Sequence, residues 1–192
     1  MANVATNIHS YGDPTSEIYW APVDTAFPTA PLPTAVGTGW NALGWLSDTG
    51  IQEIPAITET KKYAMQGSAL VATLRSQAER SFNFECLEDN ANVLDLTRPG
   101  SSVVTTAGVN KTLVKPFTSQ DIRSWIIDLV TGSGVHRRFL IATGEAVLDS
   151  SGWTYKADDL TIYKFKLNCY PNPDTGEFYT ELNDSDVLVA AP

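Results

Sequence analysis

From residue 163 to 169 every second side chain is apolar: Tyr163, Phe165, Leu167 and Cys169 alternate with Lys164, Lys166 and Asn168. A period of two marks a strand with one buried face. The same rhythm runs through residues 80–87, where Phe82, Phe84 and Cys86 fall on one side and Asn83 and Glu85 on the other. Shorter segments with apolar or β-branched character predict further strands over 16–23, 40–46, 69–76, 103–106, 111–115, 122–130, 135–142, 144–148 and 177–182. Turn signals separate them: Ser47-Asp48-Thr49-Gly50, Thr131-Gly132-Ser133-Gly134, and Pro171 to Gly176. Gln77-Ala78-Glu79 reads as the connection between 69–76 and 80–87, and residues 107–110 as a second hairpin turn. Many short strands with turns about every 8–12 residues predict a β-sandwich or barrel.

One segment breaks the rhythm. Residues 89–97 offer Asp89 and Asn90 as caps, then Val93, Leu94 and Leu96, and the stop Arg98-Pro99-Gly100. This predicts one short helix with those three side chains turned inward. Residues 24–39 hold Pro28, Pro31 and Pro33, with Pro22 just before. Proline has no N–H for a ladder, so a loop or sheet-edge segment is expected there. Residues 51–59 alternate only loosely around Pro55, and 58–67 are polar. A strand pair or a long loop over 51–67 that orders against a partner fits this stretch. The whole reads as a single domain over 1–192, with an N-terminal arm (1–14) and a C-terminal arm (183–192).

Charge sharpens the picture. The chain has 192 residues, 43% of them apolar, and a formal charge of −9. Residues 1–60 carry six acids and no Lys or Arg, and residues 171–192 carry five acids and none; all 13 Lys and Arg lie between 61 and 166. A basic face for reading nucleic acid is not advertised. No run approaches the roughly 20 apolar residues that span a bilayer, and no basic n-region precedes an apolar stretch. The expectation is a protein made in a cytoplasm, with no membrane partner. Cys86 and Cys169 lie in predicted strands and read as buried free thiols in a reducing compartment.

Residues with catalytic potential do not assemble into a motif. His9 falls in the N-terminal arm, and His136 stands beside Arg137 and Arg138; both read as surface or edge-strand histidines. No G-x-S-x-G elbow, phosphate loop or dinucleotide fingerprint occurs. Asp158-Asp159 and Glu88-Asp89 are adjacent pairs, which point to opposite sides of a strand. No catalytic residue, metal ligand or cofactor is therefore expected. Trp20, Trp40, Trp45, Trp125 and Trp153 sit in apolar segments, where packing is the first reading. A glycan-binding β-sandwich using these aromatics is the alternative.

Four segments taken together, EIYWAPVDT, WNALGWLSDTGIQE, LRSQAERSFNFECLEDNANVLDL and YPNPDTGEFYTEL, resemble the major tail proteins of long-tailed bacteriophages, those of actinobacterial phages above all. The resemblance spans about residues 15–182. It implies two packed antiparallel sheets, a sandwich or split barrel, with one short helix on the flank. It further implies a structural virion protein assembled in the host bacterial cytoplasm. Hexameric rings would stack helically into a tail tube that delivers DNA. The partners it implies are further copies of the chain, tail-tip and tail-terminator proteins, and the tape measure protein. Double-stranded DNA would pass without specific binding.

Elementary physics supports that expectation. An open sheet has edges whose backbone groups need partners, and a head-to-tail contact that closes makes a ring. DNA binds strongly once roughly 6–10 phosphates are contacted. A lining with one unpaired Lys per subunit would hold it, so a neutral or acidic lining is expected. Asn83 and Glu85, opposite the apolar face, are the candidate channel residues, with Gln77 and Glu79 near the rim. Lys61, Lys62, Tyr63, Arg75 and Arg80 are the candidates for contacts between subunits or rings. For Arg75 and Arg80 a solvated surface is an equal reading.

Overall fold

A computed structural model describes residues 9–29, 35–65 and 67–184. It is mostly β, with one short helix and two antiparallel sheets of very unequal size. The large sheet has eight strands in the order β2-β1-β7-β8-β9-β4-β3, with β10 added on β8. These are β1 (Glu17–Pro22), β2 (Asn41–Ala42), β3 (Gln52–Tyr63), β4 (Leu70–Cys86), β7 (Arg123–Val130), β8 (His136–Leu148), β9 (Tyr163–Cys169) and β10 (Thr180–Asn183). A separate hairpin, β5 (Ser102–Thr106) and β6 (Val109–Leu113), turns through Ala107-Gly108 with both residues at positive φ. Such a two-residue turn matches the right-handed twist of the strands it joins.

The large sheet curls towards closure. Its far side returns through a lone bridge, Leu46 to Cys86, flanked by Ser47 N to Glu85 O (2.8 Å) and Leu87 N to Trp45 O (3.0 Å). It stops short of a continuous barrel. Inside the curl the alternating apolar sets meet: Ile18, Phe82, Phe84, Trp125, Ile141, Phe165 and Leu167 are all buried. Gly144 marks the place where β8 passes from pairing β7 to pairing β9. A Cβ there would meet Leu167 Cδ1 at 3.0 Å and Trp125 Cδ1 at 3.2 Å, so any larger residue would have to push these core side chains aside.

Helix α1 (Ala91–Thr97) is capped by Asn90, whose side chain accepts from Val93 N at 2.9 Å. Val93 and Leu96 are buried and Leu94 packs against the core, as their spacing predicts. The helix also fastens the chain's early segment. Asn90 Nδ2 donates to Leu43 O (2.7 Å) and Asn92 Nδ2 to Ala42 O (2.8 Å). Asp95 pairs with Arg123 at 2.7 Å, and Arg123 lies over the Trp20 ring at 3.9 Å.

Several expectations change. The stretch expected as a long loop over 51–67 is mostly strand: Gln52–Tyr63 forms β3, paired with β4. No turn interrupts β4 at Gln77-Ala78-Glu79; one strand runs through 70–86. Residues 135–142 and 144–148 merge into β8, and 40–46 shrinks to β2 plus the Leu46 bridge. Of the N-terminal arm, 1–8 lies outside the described residues. Tyr11 bridges to Thr131, and the Gly12 and Asp13 N–H groups donate to Val130 O, both at 3.1 Å. Of the C-terminal arm, Asn183 belongs to β10 and 185–192 lies outside the described residues. His136 is no surface histidine: its Nδ1 lies 3.2 Å from Asp128 Oδ1 and its side chain is 13% exposed. Trp45, expected to pack, is 65% exposed.

Among the described residues no helix is long and apolar enough to cross a membrane. Cys86 and Cys169 are free and buried. Burial pushes each thiol up to about 12, so almost no thiolate exists at neutral pH. A thiol-specific chromogenic reagent should find no reactive cysteine in the folded protein and two after denaturation. Rapid labelling of the native chain would contradict this burial.

Candidate functional site

Three surfaces stand out, and each follows from strand register. The first is the outward face of β4 and β9. β4 keeps an unbroken alternation from 77 to 86, so Glu79, Asn83 and Glu85 share one side, opposite Phe82 and Phe84. Gln77 pairs with Thr58, and its side chain lies outside the described part. Across the ladder Glu85 faces Lys164, and their charged atoms lie 2.9 Å apart. The hydrogen bond to Glu85 holds the Lys164 ammonium above its ordinary range. The next row reads Gln52, Asn83, Lys166, Val147, and the one beyond it Ile54, Ser81, Asn168, Glu145. Glu145 accepts from Tyr170 Oη at 2.8 Å; burial first and this bond second push the phenol up to about 12. Lys166 has no ion pair among the described residues. A depression of about 310 Å³ lies here, bordered by Gln52, Asn83, Glu85, Asp149, Lys164 and Lys166.

Of the candidate channel residues, Glu79, Asn83 and Glu85 share this face, and two lysines join Asn83 and Glu85 there. Lys164 and Lys166 were legible as the polar side of a strand. The signal missing from the sequence was the pairing of β9 with a strand some eighty residues earlier.

The second surface is the outer half of the β3–β4 hairpin. Beyond Ile57 and Ala78 these strands pair only with each other, while β9 pairs with β4 from Arg80 on. The ribbon is exposed on both faces and carries apolar side chains: Ile57, Tyr63, Met65, Leu70, Val71 and Leu74 are all more than half exposed. Lys61 and Lys62 sit near its tip, on opposite faces, with no ion pair among the described residues. Arg75 and Arg80 do not wait for a neighbour. Arg75 pairs with Glu59 at 2.9 Å and Arg80 with Glu53 at 3.1 Å. Tyr179 Oη also donates to Glu53 (2.6 Å), while its ring packs on Phe82 and Phe139. Glu53 and Arg80 therefore close one end of the core.

The third surface is a groove of about 750 Å³ between residues 11–17 and 44–51. Leu46, Ile51 and Leu129 supply apolar wall, Trp45 stands at it, and Asp13, Glu17, Asp48 and Glu88 are its charged residues. No Lys or Arg lines it. Two of the acids fix its shape: Gly44 N donates to Glu17 (3.1 Å) and Trp45 N to Glu88 (2.8 Å). Gly44 has φ +81°, and a Cβ there would lie 2.4 Å from the Glu88 carboxylate. Only glycine lets the chain turn so close to that acid. Among the described residues no three His, Cys, Asp or Glu side chains are grouped to hold a metal.

Residues 13–167 match the family model for phage tail tube proteins. The chain belongs to the phage tail tube protein family. It is a structural protein of the phage tail, a component of the virion. A chain of the anti-feeding prophage (AFP) baseplate, solved by cryo-EM with six-fold symmetrisation, is 12% identical. That alignment covers 95% of this chain and 97% of the other, with a TM-score of 0.44. No curated protein matches this chain. In this tail tube protein the family match runs from the groove-lining Asp13 through β3, β4, α1 and β7 to Leu167 of β9.

Proposed function

We propose that this tail tube protein forms hexameric rings that stack helically into a tube, and that DNA passes along the channel without specific binding. The reading includes no catalysis and no cofactor. Further copies of the chain, tail-tip and tail-terminator proteins and the tape measure protein are its partners, met in the host bacterial cytoplasm. The observation that carries the reading is the β3–β4 ribbon. Two strands alone are marginal in water, and a 12-residue edge strand leaves a row of backbone groups without a ladder partner. Neighbouring copies satisfy both. Negative-stain microscopy of concentrated protein tests this. Rings or hollow tubes are expected. A sample that stays monomeric even with the phage's tail-initiating complex added would overturn the reading.

On this proposal the Asn83/Glu85 face lines the channel. Lys166 has no ion pair of its own among the described residues, so on this proposal it is the net charge that keeps DNA from being held: Glu85, Glu145 and Asp149 outnumber Lys164 and Lys166. Glu85→Lys removes the partner of Lys164 and shifts the lining by roughly twelve charges per six-membered ring. Tails should still assemble, and DNA ejection should slow severalfold or stop. Lys166→Gln should leave ejection at least as fast. Unchanged ejection kinetics in phage carrying Glu85→Lys would take this face out of the channel.

A further inference from the structure

The ribbon's tip and the acid-lined groove are complementary in charge and in polarity. The tip presents Lys61 and Lys62 beside Tyr63, Met65, Leu70 and Val71. The groove presents Asp13, Glu17, Asp48 and Glu88 beside Trp45, Leu46 and Ile51, with no cation in its lining. We infer that the groove is the socket for the β3–β4 tip of a second copy of this chain. The inference rests on the stacking proposed above and names the acceptor side of that contact.

Geometry excludes the intramolecular alternative. The groove ends at Ile51 and β3 begins at Gln52, so the strand leads directly away from the socket. Its 12 residues carry the tip roughly 35–40 Å from the groove at about 3.3 Å per residue. Plug and socket therefore occupy opposite ends of one strand. A contact between them joins two different patches, which is heterologous, and repeating it extends a stack without closing it. Burying Met65, which is 91% exposed, and Trp45, which is 65% exposed, removes two large apolar side chains from water. The lysines and acids choose the partner and its orientation. Glu17 and Glu88 are occupied with the backbone of Gly44 and Trp45, so the exposed Asp48 is the acid to alter.

Charge reversal on each side tests the pairing. Subunits with Lys61→Glu and Lys62→Glu, and separately subunits with Asp48→Lys, should each fold. Each should need a concentration about tenfold higher or more to polymerise, a change of one decade in affinity. Mixed together, they should recover part of that loss, because each acidic tip then meets a groove whose exposed acid has become a lysine. A second readout pairs Met65→Cys with Asp48→Cys in one chain. Both native thiols are buried, so oxidation of assembled tubes should give a ladder of covalently linked subunits. Wild-type tubes together with undiminished Asp48→Lys tubes and no ladder would overturn the socket while leaving the stacking reading intact. Wild-type protein that never polymerises would overturn both.

Discussion

A chain in which residues 58–77 are replaced by Asn-Gly folds to a stable monomer and does not polymerise. The excision joins Ile57 to Ala78, which face each other across the ladder, and Asn-Gly supplies the two-residue turn that such a hairpin needs. The excised ribbon's described side chains are exposed, except half-buried Ala64 and Ala72, and none of them belongs to the core cluster. The melting temperature should move by no more than about 3 °C, the shift that about 1 kcal/mol produces in a domain of this size. Polymer should be absent by sedimentation and by negative stain. Normal tubes from this variant would show the ribbon to be idle. A monomer that fails to fold would show that the ribbon stabilises the body, contrary to its exposure.

The second large effect lies in a buried ion pair on the sheet face opposite the core cluster. Asp128 and Arg138 face each other on β7 and β8, 2.5 Å apart and 8% and 1% exposed. His136 also lies 3.2 Å from Asp128. Asp128→Ala takes away the carboxylate opposite a buried guanidinium, and removing one partner of such a pair costs about 3–5 kcal/mol. That is a large part of the roughly 5–15 kcal/mol that holds a domain folded. The urea midpoint should fall sharply with an unchanged slope. Replacing both partners, Asp128→Leu with Arg138→Met, should recover part of the loss, because an apolar pair needs no compensating charge, while His136 loses its contact with Asp128 and the other interactions of Arg138 go with it. A double variant as unstable as Asp128→Ala would show that the ion pair is not what the site requires.

What was legible in the sequence was whatever had one wet face and one dry face. β9 and the inner half of β4 announce themselves by alternation, and α1 by its asparagine cap and the spacing of Val93 and Leu96. β3 was hidden because both faces of its outer half are wet. An exposed ribbon has no apolar rhythm to read, and Pro55 argued further against a strand. Yet Pro55 is at home there, since an edge strand tolerates a residue that cannot donate outward. The candidate surface was half legible. Asn83 and Glu85 were legible as lying opposite the apolar face of β4, but Lys164 and Lys166 reach them only through non-local pairing. The same holds for the groove, whose acids come from segments more than seventy residues apart.

The pairing of β1 with β7 has a consequence for the nascent chain. β3 and β4 are neighbours in sequence and can zip together soon after they emerge. Glu17, by contrast, must wait for Asp128 before β1 has more than its short pairing with β2, and the groove wall at Leu129 arrives with the same strand. Chains are made from the amino end, so a product truncated before β7 would own the plug with an unfinished socket, lacking the Leu129 wall and the Val130 carbonyl that anchors Gly12 and Asp13. Such a fragment could seat on a growing end but offer nothing to the next arrival, and even a small fraction of it would act as a chain stopper.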